Sequence, residues 1–214
     1  MQNQKSNNFE IIQMPPRNTN SVVVSSGDKC AIFDPWGRAK DWERVLIERG
    51  LKLHAIYATH AHPDHISAAP ELCHAFNVPF YVSPNDRPLV GWGNEILDFF
   101  GIGHIHAHDV NTTDITPGNY EILPGIKMDV MATPGHTPGG LIYYFPDAHI
   151  LLTGDTLFHD GYGRFDFPGG NAQQLFQAIQ NIKNLNLPDD TFVVHGHGMD
   201  STIGWLRKNH ELFK

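Results

Sequence analysis

The segment THAHPDH, residues 59–65, contains four side chains that can bind a metal: His60, His62, Asp64 and His65. Imidazole and carboxylate groups are ligands for zinc, iron or manganese. A lone histidine in a loop is ordinarily a polar surface residue, but four potential ligands in one turn are difficult to explain by packing. The segment therefore predicts a metal site.

Three further candidate ligands follow predicted strands. Taken singly each is weak, since an aspartate after a strand often only caps a turn. Glycine or proline in each loop allows a tight turn that points the ligand back over the strand end. If the strands share an orientation, all the candidates meet at one edge of the sheet. The three are His136 in TPGHTPG (133–139), Asp155 in LTGDT (152–156) and His197 in HGHG (195–198).

Strand and helix patterns alternate along the chain and predict an α/β architecture of layered sheets and helices. Pro88, Gly91 and Gly93 interrupt a helical pattern over 85–100, and Asp200 or Ser201 could cap a last helix running towards Leu212. The other predicted helices are 39–49, 67–76 and 171–185. The predicted strands are 9–14, 21–25, 30–33, 54–59, 79–83, 127–133, 141–145, 149–153 and 191–194.

The ordered set of ligands resembles the metallo-β-lactamase superfamily, and the resemblance covers nearly the whole chain. Within that superfamily the chain is similar to the glyoxalase II-like hydrolases. The stretches that carry this narrower resemblance are TPGHTPGG (133–140), TGDTLF (153–158), GHG (196–198) followed by STIG (201–204), and GYGRFDF (161–167).

The resemblance implies a four-layer αββα sandwich formed by one domain over residues 1–214, with two divalent metal ions. Zinc is the usual metal, with iron or manganese as alternatives. By position, one ion would be held by His60, His62 and His136, and the other by Asp64, His65 and His197. Asp155 would bridge the two ions, and Asp64 and Asp155 are the predicted catalytic carboxylates.

A charge count explains why such a centre suits hydrolysis. Two divalent ions bring about +4, two carboxylates remove about 2 and a bridging hydroxide removes about 1, which leaves about +1 beside a developing oxyanion. A thiolate leaving group with a pKa near ~8.5 departs without a general acid, whereas an amide nitrogen would need one. The predicted substrate is therefore a thioester or related small acyl compound rather than a β-lactam.

Several residues near the motifs are predicted to act beside the ligands. Arg164 falls where the family has a basic substrate contact, with a structural ion pair as an equal alternative. Three aromatic residues could line a pocket, although aromatic residues near a sheet edge are more often core: Phe158, Tyr162 and Phe167. Asp34 could orient the 60–65 loop through hydrogen bonds, or simply cap a turn. His195 could support a ligand, although a strand-end position without metal contact is the favoured interpretation.

Composition excludes several classes of function. The net charge of −8 disfavours nucleic-acid binding, and no apolar run is long enough to span a membrane. The N-terminal residues do not resemble a secretory signal, so a cytoplasmic location is expected. Cys30 and Cys73 are predicted to be small buried hydrophobic residues rather than a disulfide framework.

Competing functions remain open at this level. A mononuclear iron persulfide dioxygenase would use His60, His136 and Asp155, and such enzymes resemble the chain around GYGR, but their C-terminal pattern differs. The chain ends at Lys214, without the C-terminal helical region of full-length glyoxalase II enzymes, so lactoylglutathione itself is in doubt as the substrate. A non-catalytic metal scaffold is less favoured. The run His104, His106 and His108 is interpreted as an exposed surface.

Overall fold

A computed structural model of the protein describes residues 8–14, 19–105 and 110–214. Its strands form two six-stranded sheets, ordered β1-β2-β3-β4-β5-β6 and β12-β11-β10-β9-β8-β7. The first sheet comprises β1 Phe9–Gln13, β2 Asn20–Ser26, β3 Lys29–Phe33, β4 Lys52–Tyr57, β5 Phe80–Val82 and β6 Thr112–Asp114. The second comprises β7 Gly118–Leu123, β8 Ile126–Ala132, β9 Leu141–Phe145, β10 Ile150–Gly154, β11 Phe192–His195 and β12 Ser201–Thr202.

The helices are short, and most lie in the predicted regions. Pro70 lies in the first turn of α3, where its missing N–H does no harm, and Asn171 caps α5 by accepting from the Gln174 N–H. The helices are α1 Ala39–Arg49, α2 Pro63–Ile66, α3 Ala69–Phe76, α4 Asn94–Phe99, α5 Ala172–Lys183 and α6 Ile203–Asn209. Single 3₁₀ turns span Arg87–Leu89 and Glu211–Phe213.

The core between the sheets is built by alternate residues of each strand, because successive side chains point to opposite faces. Ala31 and Phe33 face the second sheet, whereas Cys30 and Ile32 face away from it. The Phe33 ring meets those of Tyr143 and Phe145 edge-on, with centroids 5.1 and 5.7 Å apart. These aromatic contacts join the two sheets.

Two further cores lie on the outer faces of the sheets. One packs Trp42 and Leu46 of α1 and Leu72 of α3 against the first sheet. The other packs Leu175 and Ile179 of α5 against the second. Helix, sheet, sheet and helix therefore form successive layers, which confirms the expected αββα sandwich.

Strand directions bring the ends of three strands to one edge of the second sheet. β8 and β10 are each antiparallel to β9, so they run in the same direction, and β11 is parallel to β10. The loops that follow β8, β10 and β11 therefore leave the same edge, as the argument from sequence required.

Several elements differ from the sequence-based expectation. The short edge strands β6, β7 and β12 were not predicted, since strands of two to six residues, most of them at least partly exposed, give little periodic signal. Thr202, rather than Asp200 or Ser201, caps α6 by accepting from the Trp205 N–H. In the part of the chain that is described, no helix is both long and apolar enough to cross a lipid bilayer.

Candidate metal centre

The histidine-rich turn lies between β4 and α2. Pro63 occupies the first turn of α2, where its fixed φ suits the start of a helix. This start places His62 at the N-cap and holds Asp64 and His65 within the helix. All four candidate ligands of the turn are at most 5% exposed. The turn that follows β4 of the first sheet therefore holds them in a buried arrangement.

The second sheet supplies His136, Asp155 and His197 from the loops after β8, β10 and β11. The two sheets approach closely here, since a Cβ on Gly154 would lie 2.6 Å from the Cβ of Thr59. Gly154 also has a φ of +49°, a conformation that glycine adopts without strain. A glycine before Asp155 is therefore what lets the two halves of the centre meet.

Imidazole nitrogens face one another across the centre at the spacing of metal ligands. Nε2 of His60 lies 3.3 Å from Nε2 of His136, and Nε2 of His65 lies 3.2 Å from Nε2 of His197. Two nitrogens bound to tetrahedral zinc at about 2.0–2.1 Å are themselves about 3.3 Å apart. The observed separations match that edge length.

Asp155 lies between the two pairs of histidines. Its Oδ1 is 3.3 Å from Nε2 of His65, and its Oδ2 is 3.6 Å from Nε2 of His136 and 3.5 Å from Nε2 of His197. Asp64 lies next to the second pair of histidines, and its Oδ2 is 3.3 Å from Nε2 of His197. The carboxylate of Asp155 thus lies within 3.6 Å of histidines from both groups, and its role as a bridging ligand stays a prediction.

The donor atoms fit metal ions. Among the described residues, overlapping sets of ligand atoms lie within 4.8 Å of one another: His60 with His62 and His136, His60 with His65 and Asp155, and Asp64 with His65 and His197. Nε2 of His62 and Oδ1 of Asp155 are buried without a hydrogen-bond partner, although buried polar atoms ordinarily have one. A cation would satisfy both atoms.

Hydrogen bonds to the remote ring nitrogens set the tautomers of the histidines. Nδ1 of His65 lies 2.9 Å from Oδ2 of Asp34, and Nδ1 of His136 lies 2.6 Å from the Arg164 carbonyl oxygen. Since both acceptors require a proton on Nδ1, each Nε2 keeps its lone pair for the centre.

Thr59 extends the same control to His60. Its Oγ1 lies 3.0 Å from Nδ1 of His60 and donates to Oδ2 of Asp34 at 2.7 Å. The hydroxyl therefore accepts from Nδ1 of His60 while it donates to the carboxylate. Asp34 also accepts from the Thr59 backbone N–H at 2.7 Å and holds a φ of +52°. One aspartate is thus hydrogen-bonded to His65 directly and to His60 through Thr59.

The electrostatics differ between the two halves of the centre. Burial lowers the pKa of His60 and brings that of His62 to about 3. Burial also opposes protonation of His197, but hydrogen bonds to Asp155 and Asp64 outweigh it and raise its pKa to about 9. A cation bound by Asp64, His65 and His197 would therefore displace a proton from His197, as metals do from their ligands.

The metallo-β-lactamase superfamily model matches residues 14–197. The chain belongs to this superfamily. It is 33% identical over 205 residues to hydroxyacylglutathione hydrolase GloC of Haemophilus influenzae, covering 95% of this chain and 96% of the relative.

Solved structures of the superfamily agree with the fold. BLEG-1, described as a B3 metallo-β-lactamase, superposes with a TM-score of 0.85 and 32% identity, covering 96% of this chain and 99% of the other. TTHA1623 in a di-iron-bound form has a TM-score of 0.83 and 28% identity, covering 94% and 98%. The chain is thus a metallo-hydrolase-type protein with a histidine and aspartate cluster suited to metal ions.

The candidate centre of this superfamily member opens into a cavity of about 620 Å³. The ligands form its floor, and one wall is apolar. Trp92 and Phe167 touch each other edge-on, with centroids 5.1 Å apart, and each ring also contacts His62. The other apolar lining residues are Pro63, Ile96 and Phe158. The cavity therefore presents apolar surface directly beside the polar centre.

Arg164 and Tyr162 occupy different places. Arg164 lines the cavity, where its guanidinium lies 3.7 Å above the Phe167 ring and donates two 2.7 Å hydrogen bonds to Asp166. Tyr162 packs instead against Phe165 and Phe176 on the surface and is not part of the cavity lining. Their predicted roles as substrate contacts stay predictions.

His195 lies at the end of β11 and is 1% exposed. Its Nδ1 lies 2.7 Å from the Leu157 carbonyl oxygen, and its Nε2 lies 2.9 Å from Oγ of Ser201. Burial lowers its pKa to about 4. The imidazole therefore fastens the loop that carries Phe158, rather than pointing towards a ligand.

Sequence reasoning missed three residues of the site: Trp92, Ile96 and Thr59. Trp92 sits in the interrupted stretch between Gly91 and Gly93, where no periodic pattern reveals a pocket residue. The broken helix over 85–100, which was predicted, was the available signal, since irregular segments beside a site commonly carry function.

The second histidine run is only partly described. His104 is exposed, and its Nε2 lies 2.6 Å from Oδ1 of Asp98. His106 and His108 lie outside the described residues. The surface interpretation of this run therefore stays a prediction.

Proposed function

We propose that the protein is a glyoxalase II-like hydrolase that uses two divalent metal ions to cleave a thioester or related small acyl compound. The observation that carries the proposal is the complete second group, Asp64, His65 and His197, with Asp155 between it and the first group. A mononuclear centre would need only one of these groups. The similarity to a hydroxyacylglutathione hydrolase supports the same reaction class.

Two divalent ions would polarise the acyl carbonyl and lower the pKa of water to about 7, which supplies a nucleophile at neutral pH. His60, His62 and His136 would hold one ion, and Asp64, His65 and His197 the other. Asp155 would contact both. Asp34, Thr59 and the Arg164 carbonyl keep the ring nitrogens aimed inward through the hydrogen bonds described above.

The cavity favours a thioester over an amide. Its described ionisable lining residues are candidate ligands or Arg164, which is paired with Asp166. None of them is a free acid that could protonate an amide nitrogen. A thiolate with a pKa near ~8.5 leaves without such help. Trp92, Ile96 and Phe167 would hold the apolar part of the substrate against the centre.

The decisive experiment combines metal analysis with a substrate panel. Protein purified without added metal should contain about two ions per chain, and it should hydrolyse thioesters such as S-lactoylglutathione or S-phenylacetyl thiols faster than a β-lactam. His136→Ala should lose an ion and most of the thioesterase activity, because it removes a ligand from the first group. His54→Ala, on the exposed face of β4, is the matched control and should change neither.

Other results would assign a different chemistry. One iron per chain, together with oxygen uptake in the presence of a persulfide, would indicate a dioxygenase that uses His60, His136 and Asp155. A fully metallated protein that is inert towards the thioester panel would overturn the proposal.

A further inference from the structure

Asp86 lies in the loop after β5 and is 0% exposed. Its carboxylate accepts three hydrogen bonds. Oδ2 accepts from the Ala61 N–H at 3.0 Å and from Oγ1 of Thr137 at 2.8 Å, and Oδ1 accepts from the Gly139 N–H at 2.5 Å. A buried carboxylate held by three donors from distant parts of the chain is a fixed element of the structure.

The donors belong to the two loops that present the first group of ligands. Ala61 stands between His60 and His62, and Thr137 follows His136 directly. We propose that Asp86 is a positioning residue for the His60–His62–His136 group, setting the separation of its two loops and favouring a cation there. This inference rests on the proposed metal centre, but not on the proposed substrate.

The close approach of the loops around Asp86 depends on Gly139. A Cβ on Gly139 would lie 2.6 Å from the Asp86 backbone nitrogen and 2.7 Å from its Oδ1. Real side chains do not tolerate such contacts, so glycine alone allows this packing. The carboxylate is therefore built into the junction between the loops, independently of any single hydrogen bond.

The negative charge of Asp86 is the reason that it would favour a cation at the first group of ligands. Its three donors are the neutral backbone N–H groups of Ala61 and Gly139 and the Thr137 hydroxyl. The three imidazoles of the group beside it bring no negative charge of their own, and the carboxylate of Asp155 is shared with the second group. Because a buried charge without a counterion is costly, a cation at this group would be favoured by the nearby carboxylate.

The test is stepwise Zn²⁺ titration calorimetry of the metal-free protein, with hydrolysis playing no part in the readout. His136→Ala and His197→Ala identify which binding step belongs to which group. Asp86→Asn keeps the size of the side chain but removes its charge and places an amide N–H against a donor. We expect the Zn²⁺ affinity of the first group to fall 10- to 100-fold, which is the usual effect of losing a residue that orients ligands. The Zn²⁺ affinity of the second group should not change.

Two further variants keep the test decisive. Thr137→Val removes one donor without changing side-chain volume and should give a smaller loss in the same group, which remains measurable if Asp86→Asn fails to fold. Asp98→Asn, on the surface, should match the wild type in both steps. Circular dichroism of each metal-free variant verifies the fold.

The outcomes separate the two proposals. If the wild type binds two ions and Asp86→Asn and Thr137→Val keep wild-type affinities, the role of Asp86 is overturned while the centre stands. An equal loss in both groups also overturns it, since that would show general loosening. A wild type that binds no ion overturns the metal centre, and the role of Asp86 with it.

Discussion

At the scale of single residues, the centre depends on glycines that let main chain and ligands pack closely. Gly163 is buried against the Asp155 carbonyl group, and a Cβ there would lie 2.8 Å from Nδ1 of His136. That nitrogen donates to the neighbouring Arg164 carbonyl. Two positions away, a Cβ on Gly161 would meet nothing within 4 Å. The chain thus contains a sensitive glycine and a tolerant one in the same loop.

We expect Gly163→Ala to weaken metal binding by about 10-fold or more, because the added methyl group would overlap the Asp155 carbonyl oxygen and lie 2.8 Å from Nδ1 of His136, and so displaces both candidate ligands. Gly161→Ala, where a Cβ would meet nothing within 4 Å, should leave metal binding unchanged. Metal content after dialysis against a weak chelator measures the difference. Equal retention of metal by both variants would show that the close packing at Gly163 does not position Asp155 or His136.

The cysteines illustrate how burial controls chemistry at one atom. Burial raises the pKa of both Cys30 and Cys73 to about 12. Since the thiolate is the reactive form, only about one thiol in ten thousand is ionised at pH 8. Iodoacetamide should therefore label neither thiol in the native protein at pH 8, and both in urea. Rapid native labelling, detected by mass spectrometry, would contradict this prediction.

At the scale of elements, the apolar wall of the cavity comes from the irregular segment before α4 and from the loop after β10. Trp92 precedes α4 and touches Phe167, and Ile96 lies within the helix. Phe99 ends the same helix but points to solvent, with 83% exposure. Helix α4 therefore contains both Ile96, which lines the cavity, and Phe99, which is exposed and can serve as a control.

Trp92→Ala should lower kcat/KM for an apolar acyl thioester by about 10- to 100-fold, since an apolar contact in a pocket is worth about 1–3 kcal/mol. The effect should be smaller for a lactoyl thioester, which has less apolar surface to lose. Phe99→Ala should leave both values unchanged. Equal losses for the two substrates in Trp92→Ala would place the acyl group elsewhere.

At the scale of the whole molecule, the centre joins the two sheets. The first sheet contributes the turn 59–65, and the second contributes His136, Asp155 and His197. Ions bound there would be contacted from both sides of the sandwich. Because a ligand that binds only the folded state stabilises it, metal occupancy should govern global stability.

Removal of metal by chelation should therefore lower the melting temperature. At a free metal concentration of 100 times Kd the stabilisation is about 2.7 kcal/mol, which corresponds to about 5–10 °C for a chain of this size. Differential scanning calorimetry with and without chelator, followed by addition of Zn²⁺, measures this change. A melting temperature that changes neither on chelation nor on addition of Zn²⁺ would show that no bound ion links the two sheets.

The sequence alone determined the residue types of the centre and most of the elements that carry them. Four ligands within 60–65 exceed what packing explains, and the turn chemistry around His136 and His197 is local. The helix over 171–185 and the broken stretch over 85–100 were also predictable, because amphipathic periodicity and helix-breaking residues act within a few positions.

Only the tertiary structure decided which distant groups meet. Asp86 had no visible role in the sequence, because its donors lie 25, 51 and 53 positions away. Likewise, only the folded structure shows that Trp92 lines the cavity and that Tyr162 packs on the surface. Local patterns fix the chemistry that each side chain can offer, but contacts between loops depend on how two sheets pack, and no short stretch of sequence encodes that packing.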